Sequence, residues 1–230
     1  MNLFKTFYRH FWKFVPSSIL SALLSCLIIT IGPASVGMTH VARNIAWGRH
    51  SFGLSDFFDA IKENLKQSFV VGILNAIIYL LIFFDFYFFN AMTGIFAIIG
   101  NGIMFGFFII FTIMNYYIWT LMITFDFTIK QIYKNSFKFV FVNFKYNIIC
   151  LFLMLFIYAL YIVPIVVFAD YFLLVATIEG IIYMLTFPAF KCLLVQVCIF
   201  PSVKQNIIDP YYEENPDLDI DKRRRLGLEF

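Results

Sequence analysis

The sequence predicts an all-α fold: a polytopic membrane helical bundle of about five transmembrane helices, with amphipathic cytoplasmic helices beside them. The composition is the first reason, because 62% of the 230 residues are hydrophobic and only 13% are charged. Soluble domains have about 45–50% apolar and about 25% charged residues. The second reason is that the apolar residues form long continuous runs without the alternation of a β-barrel strand. Disordered chains, coiled coils and disulfide scaffolds are excluded by the same composition.

Five apolar stretches are long enough to cross the hydrocarbon core, for which a helix needs about 20 residues. The charge-free run between Asp85 and Asp126 is too long for one crossing, and Asn90, Thr93 and Gly94 near its start indicate a tight turn. The predicted crossings are residues 17–41, 68–89, 95–124, 146–168 and 172–199.

The distribution of basic residues predicts the orientation of these five crossings. The tails and loops on one side hold thirteen Lys and Arg residues, and those on the other side hold three. The positive-inside rule places the richer side in the cytoplasm. We therefore expect a multi-pass protein whose C-terminus is cytoplasmic.

The first apolar run conflicts with this simple scheme. Basic residues flank it on both ends, although a single crossing would separate them, and Gly32-Pro33 interrupts it where proline ends or kinks a helix. Either the run crosses with the N-terminus outside, or it bends back as a re-entrant hairpin. The crossing is the favoured interpretation. The run also resembles a signal peptide, but its apolar pattern continues past Pro33, so we expect an uncleaved segment.

Two segments outside the spans have the pattern of amphipathic helices. Residues 55–67 place apolar and charged side chains on opposite helical faces, and residues 130–138 carry a stripe of lysines on one face. Such helices lie at the lipid headgroups or dock a partner. Both segments carry Phe-x5-Asn-x-Lys, at Phe58–Lys66 and Phe137–Lys145. This suggests two units of helix followed by a pair of spans, with chance similarity as the alternative. The predicted partner-docking face consists of Phe57, Phe58, Ile61 and Leu65.

Sequence motifs for catalysis are absent. There is no GxxxxGK[ST], HExxH or GxSxG, and the three histidines lack ligand spacing, so we expect neither an enzyme nor a cofactor or metal site. The net charge of +3 gives no reason to expect a nucleic-acid partner. The four cysteines lie in or beside apolar runs, as small packing residues do.

Polar residues within the spans are the remaining candidates. Glu179 lies about 11 Å into the fifth span at a rise of about 1.5 Å per residue, and a membrane carboxylate is a functional hypothesis. The preferred alternative is a neutral acid that holds helices together, paired with an asparagine of another span. Lys191 is expected to extend toward the inner end. The helix breaks that could help to form a cavity, as broken helices do in transporters, are Gly32, Pro33 and Pro188.

Two motifs give the chain a family resemblance: Thr30-Ile31-Gly32-Pro33-Ala34, and Asp56-Phe57-Phe58 followed by Lys62-x-Asn64-x-Lys66-Gln67. Together with the span pattern they resemble the YesL-like family of bacterial integral membrane proteins, in which P-x-x-T-I-G-P-A and F-F-x-x-F-K-x-N-F-K-Q occupy these places. The chain departs from the family pattern at Leu27, Ile61 and Leu65. Family members often occur beside genes for oligosaccharide-import ABC transporters and their sensor kinases. The resemblance therefore implies the bacterial cell membrane and a link to carbohydrate uptake, but no established activity.

These observations lead to a functional expectation. We expect an accessory integral membrane subunit of a carbohydrate (oligosaccharide) ABC importer, which contacts the lipid bilayer and associates with the permease subunits. The alternatives are a small secondary transporter with Glu179 as its coupling carboxylate, and a membrane regulator of a sensor kinase. Residues 1–208 are expected to form a single integral membrane domain, and residues 209–230 a charged, mobile tail.

Overall fold

The computed structural model describes residues 3–210, and within them the regular secondary structure is helical, without a strand. The part of the predicted C-terminal tail from residue 211 onward lies outside the described residues. Short 3-10 turns occupy Ile28–Thr30 and Ala169–Tyr171, and a π-helical turn occupies Lys204–Ile208. The α-helices are α1 Leu3–Arg9, α2 Phe11–Ser25, α3 Ile31–Ala46, α4 Leu54–Asn90, α5 Ile95–Thr124, α6 Ile129–Val142, α7 Phe144–Val167 and α8 Phe172–Val203.

Four of these helices are long and apolar enough to cross a membrane: α4, α5, α7, and α8 with its π-helical turn. The structure thus confirms the predicted class of an all-α membrane bundle. The last four predicted crossings coincide closely with these helices. Within residues 3–210 the candidate spans number four, one fewer than predicted, because the first apolar run forms a different structure.

The first run is a re-entrant hairpin, so the predicted crossing of residues 17–41 is wrong. Lys13 Nζ at the start of α2 donates to the carbonyl oxygen of Ser51, beyond the end of α3, over 2.9 Å. Ser21 Oγ donates to the Ala34 carbonyl oxygen over 3.5 Å between the two arms. The arms have 15 and 16 residues, or about 24 Å at most, which is short of a core about 30 Å thick.

The turn between the arms follows from local chemistry. Leu27 has an extended backbone, with φ −97° and ψ 120°, and it ends the helical path of α2. Pro33 lies in the first turn of α3, where its missing N–H leaves no intrahelical bond unmade. Gly32-Pro33 therefore begins a new helix that runs back, instead of kinking one continuous helix.

The hairpin also removes the conflict in the charge pattern. It places Lys5, Arg9 and Lys13 at the same end of the molecule as the loop that follows α3. Among the described residues, every lysine and arginine except Lys191 then lies near this end, which we call the basic end. The opposite ends of the spans carry no basic side chain.

The two predicted units are present, each an amphipathic helix followed by a pair of antiparallel spans. In the first unit, Asn64 breaks the helical path with φ −110° and ψ 15°. In the second unit, Asn143 separates α6 from α7 with φ −111° and ψ 28°. The matching asparagines of the sequence repeat thus occupy the same backbone position, the bend where an amphipathic helix turns into a span.

The re-entrant hairpin holds the two pairs of spans together. Helix α3 packs on both α4 and α8, and α2 packs on α8, whereas α4 makes no extensive backbone contact with α7 or α8 in the described part of the chain. Gly32 and Gly72 mark the closest helix crossing, between α3 and α4. The α4–α5 and α7–α8 pairs therefore diverge away from the basic end, and their outer halves expose apolar side chains such as Ile98 and Leu173.

Candidate functional site

An intramembrane cavity of about 590 Å³ lies where the two pairs of spans diverge. Helices α4 and α5 line one side, α7 and α8 line the other, and α3 contributes residues from the re-entrant hairpin. We call this cavity the cleft. Its volume is in the range of small-molecule sites, about 300–1,000 Å³. Its surface is mostly apolar and aromatic, and the polar side chains on which the following argument depends are Asn75, Tyr79, Asn115, Tyr158, Lys191 and Gln196.

A hydrogen-bonded pair of amides forms the polar part of the α4–α5 side. Asn75 Nδ2 donates to Asn115 Oδ1 over 2.8 Å, and Tyr133 OH of α6 donates to Asn75 Oδ1 over 2.7 Å. Asn115 Nδ2 in turn donates to the carbonyl oxygen of Phe111 and to Tyr79 OH. Connected polar groups of this kind fix one another in a low-dielectric interior, so this side of the cleft is preorganised.

Gln196 of α8 presents an unpartnered acceptor. Its side chain is 1% exposed, and Nε2 donates to Thr120 Oγ1 over 2.7 Å. The Thr120 hydroxyl donates to the Tyr116 carbonyl oxygen, so it must accept from Gln196, and this fixes which end of the amide is the nitrogen. Gln196 Oε1 has no hydrogen-bond partner among the described residues. A buried carbonyl left in this state costs about 1–3 kcal/mol.

Lys191 lies on α8 and lines the cleft, instead of extending toward the basic end as the sequence analysis expected. Its ionisable neighbours among the described residues are Tyr79, Tyr158, Tyr183 and Cys192, and none of them is a carboxylic acid. Its ammonium group has no hydrogen bond or ion pair to the described part of the chain. Such a cation is costly in hydrocarbon unless something compensates it.

The depth of Lys191 follows from its two tyrosine neighbours. Tyr79 is thirteen residues beyond Lys66 on α4, and Tyr158 is thirteen residues beyond Lys145 on α7. Both separations correspond to about 20 Å at the helical rise of about 1.5 Å per residue. Lys66 and Lys145 lie near the basic end, so Lys191 lies well inside a core about 30 Å thick.

The other predicted polar and helix-breaking residues lie away from this chemistry. Glu179 is half-buried and does not line the cleft, and none of the described asparagines bonds to it; Asn101 donates to Asn90 instead. Pro188 lies inside the continuous helix α8 and produces no break in it. Gly32 and Pro33 are buried at the start of α3, and their neighbour Ile31 lines the cleft.

The structure buries one residue of the predicted docking face and leaves the other three at least partly exposed. Phe57 is fully buried in the core of this chain, with its ring against Gly37 of α3, so it is not available to a partner. Phe58 and Leu65 are exposed by 45% and 43%, and Ile61 is half-buried. The docking prediction therefore requires a correction at Phe57, because α4 turns this side chain toward α3.

A second polar cluster, which the sequence analysis did not identify, lies at the basic end. Arg43 is 4% exposed, and its Nη1 donates to the Ile123 carbonyl oxygen over 2.7 Å and to Thr124 Oγ1 over 3.2 Å. A cation at the last carbonyls of a helix is favourable, so Arg43 stabilises the end of α5. Burial, and then the charge of Arg49, lower the pKa of Arg43 to about 9. Nothing in the sequence around Arg43 distinguishes it from the other basic residues of that loop.

Helical spans, a re-entrant hairpin and an intramembrane cleft define the class: the chain is a multi-pass α-helical membrane protein. Residues 17–86 match a family model described as "Protein of unknown function, DUF624", which is consistent with the YesL-like resemblance. The matched segment includes the α3–α4 crossing and Asn75, but it ends before Lys191 and Gln196. No curated protein and no solved structure matches the chain.

Proposed function

We propose that the chain is an accessory membrane subunit that associates with the permease of a carbohydrate ABC importer in the bacterial cell membrane. The basic end and the C-terminus face the cytoplasm, in accord with the positive-inside rule. The carbohydrate link comes from the YesL-like resemblance, and the mode of action is binding, because catalytic and nucleotide-binding motifs are absent from the sequence.

The observation that carries the proposal is an exposed apolar surface outside the spans. On the first part of α4, Phe58 and Leu65 are exposed, and on α6 Phe137 and Phe141 are exposed by 48% and 56%. Lysines flank these side chains on both helices. Amphipathic helices with this arrangement dock into grooves of a partner through the apolar face, and aromatic residues are frequent anchors of such interfaces.

A pull-down in mild detergent tests the proposal. The tagged protein is purified from membranes of its own host, and the co-purified proteins are identified by mass spectrometry. We expect importer permease subunits with the unmodified protein, and their loss when Phe58→Ser and Leu65→Ser are combined. The matched control combines Ile95→Ser and Phe96→Ser, which lie at the opposite end and are exposed by 67% and 76%; this control should keep the partner.

Two results would contradict the proposal. One is recovery of the unmodified protein alone or only with copies of itself, under conditions in which the importer's own subunits stay together. The other is full retention of the permease by the Phe58→Ser, Leu65→Ser variant. Phe57 is left unchanged in this experiment, because its burial means that truncation would disturb the fold.

The cleft favours a second candidate, a small secondary transporter. Transporters bind their solutes near the middle of the membrane between groups of helices, and the cleft is at such a position. Glu179, however, is outside the cleft, so the geometry does not support its role as the coupling carboxylate. Uptake of a sugar by proteoliposomes that contain only this protein would favour the transporter over the accessory subunit.

A further inference from the structure

We infer that the cleft is a binding site for a small hydroxylated organic anion, with Lys191 holding the carboxylate and Gln196 accepting a hydrogen bond from a hydroxyl group. The inference is independent of the proposed partnership with an importer. It depends on two side chains, which belong to the same helix and line the same cavity. Lys191 and Gln196 lie outside the segment that matches the family model, whereas Asn75 and Tyr79 of the same cleft lie within it.

The charge of Lys191 indicates the first property of the ligand. The ammonium group has three donors and uses none of them within the described residues, and no Asp or Glu of that part of the chain lines the cleft. Its tyrosine neighbours can solvate the charge in part, but they cannot neutralise it. A carboxylate in the cleft supplies both the opposite charge and charge-assisted hydrogen bonds, which are about twice as strong as neutral ones.

Gln196 indicates the second property of the ligand, which is a hydrogen-bond donor. Its Oε1 is a buried acceptor without a partner, and its orientation is fixed by Thr120 on the other side of the amide. A ligand hydroxyl that reaches Oε1 would satisfy this acceptor, so a ligand that matches both side chains carries a donor as well as an anionic acceptor. A carboxylate side chain from a partner helix provides acceptors only, and a phosphate group that lacks hydroxyls also leaves Gln196 unpaired. A hydroxy acid satisfies both groups at once.

The shape and surroundings of the cleft agree with a compact polar molecule. Its volume of about 590 Å³ exceeds what one monosaccharide-sized acid needs, and Trp119, Tyr116 and Tyr158 are among the aromatic side chains that line it. An anionic lipid would have to bring its headgroup about 20 Å from the basic end, into the hydrocarbon region where lipid headgroups do not lie.

Calorimetric titration of the purified protein in lipid nanodiscs tests the inference. Glucuronate is the probe, because it combines a carboxylate with hydroxyl groups, and glucose is the neutral probe of matched size. We expect glucuronate to bind and glucose to bind at least about tenfold more weakly, since a neutral hydroxyl group cannot replace the charge-assisted hydrogen bonds of a carboxylate to Lys191.

Three variants assign the binding to the cleft. Lys191→Met keeps the length of the side chain and should weaken glucuronate binding at least about tenfold, whereas Lys191→Arg should retain most of it. Lys145→Met removes an exposed lysine at the basic end and should leave the affinity unchanged. Gln196→Met should weaken the binding of glucuronate but not the binding of acetate, which has no hydroxyl group.

Several outcomes would overturn the inference. Equal binding of glucose and glucuronate would show that Lys191 does not select charge, and no binding of glucuronate would show that the cleft does not accept a hydroxy acid. An anionic phospholipid that co-purifies with the protein and is lost only in Lys191→Met would assign the lysine to lipid. If Lys191→Met does not fold, it shows no thermal transition. The effects of Lys191→Arg and Gln196→Met on glucuronate binding then test the inference.

Discussion

Gly32→Ala is the perturbation that tests the fold most directly, because it changes one methyl group at the closest helix crossing. A Cβ atom on Gly32 would overlap the carbonyl oxygen of Ser68 in α4 and would lie 2.8 Å from the carbonyl carbon. The obstacle is backbone, which cannot rotate away as a flexible side chain does. Helices α3 and α4 would have to separate by about 1 Å or more, and overpacking of this kind costs about 1–3 kcal/mol.

The cost should appear as a lower thermal midpoint in detergent. For a chain of this size 1 kcal/mol corresponds to about 2–4 °C, so we expect a decrease of about 4–12 °C for a cost near 2–3 kcal/mol. The matched control is Gly102→Ala in α5, where an added Cβ meets no atom within 4 Å. Alanine favours a helix over glycine by about 1 kcal/mol, so this control should be neutral or slightly stabilising. Equal midpoints for the two variants would refute the close α3–α4 crossing.

Three further predictions concern topology, pH and the membrane carboxylate. Cysteines at positions 5 and 134 should both react with a membrane-impermeant reagent only after the cytoplasmic face is opened, whereas one at Thr93 should react from outside; labelling of position 5 alone in intact cells would restore the fifth crossing. Burial, and then Arg43, lower the pKa of His40 from 6.5 to about 4, so protonation opposes the native state. The stabilising contribution of the neutral His40 side chain is complete above pH 6.5 and is lost as the pH falls toward 4. His40→Gln should therefore make the thermal midpoint less dependent on pH across this range. Glu179→Gln should leave both the midpoint and glucuronate binding unchanged, and a shift in either would place Glu179 in contact with the cleft or the core.

Composition and periodicity were sufficient to predict the class and the four long spans, because a charge-free run of about 20 residues has few alternatives in a membrane. They were insufficient to predict that residues 17–41 fold back as a hairpin. The run has the length of a span, and only tertiary contacts such as those of Lys13 with Ser51 and of Ser21 with Ala34 show that it folds back. The conflict of basic residues on both sides was the available signal for the hairpin, but the sequence analysis favoured the crossing.

The positions of the site residues were also only partly predictable from the sequence. Phe57 and Phe58 are adjacent and chemically identical, yet one is buried and the other is 45% exposed. The direction of a helix face is settled by the neighbouring helices and not by the helix's own pattern. The sequence analysis identified Lys191 as a polar residue of the last span but missed Gln196, and their meeting in one cleft depends on how far the two pairs of spans diverge. The Phe-x5-Asn-x-Lys repeat was predictive, since both asparagines bend the chain in the same way.

The position of the re-entrant hairpin has a consequence for biosynthesis. Phe7 and Phe14 near the N-terminus share a cluster with Ala189 and Leu193 of α8, and Phe190 lies 5.2 Å from the Phe7 ring between centroids. Phe7 and Phe14 leave the ribosome well before α8, so they find their partners only after α8 has been synthesised. Before α8 is made, the hairpin lacks this packing partner, and its apolar arms stay at the bilayer surface or in the insertion machinery. A chain that stops before α8 should therefore keep its N-terminal segment accessible to protease, while the complete chain protects it.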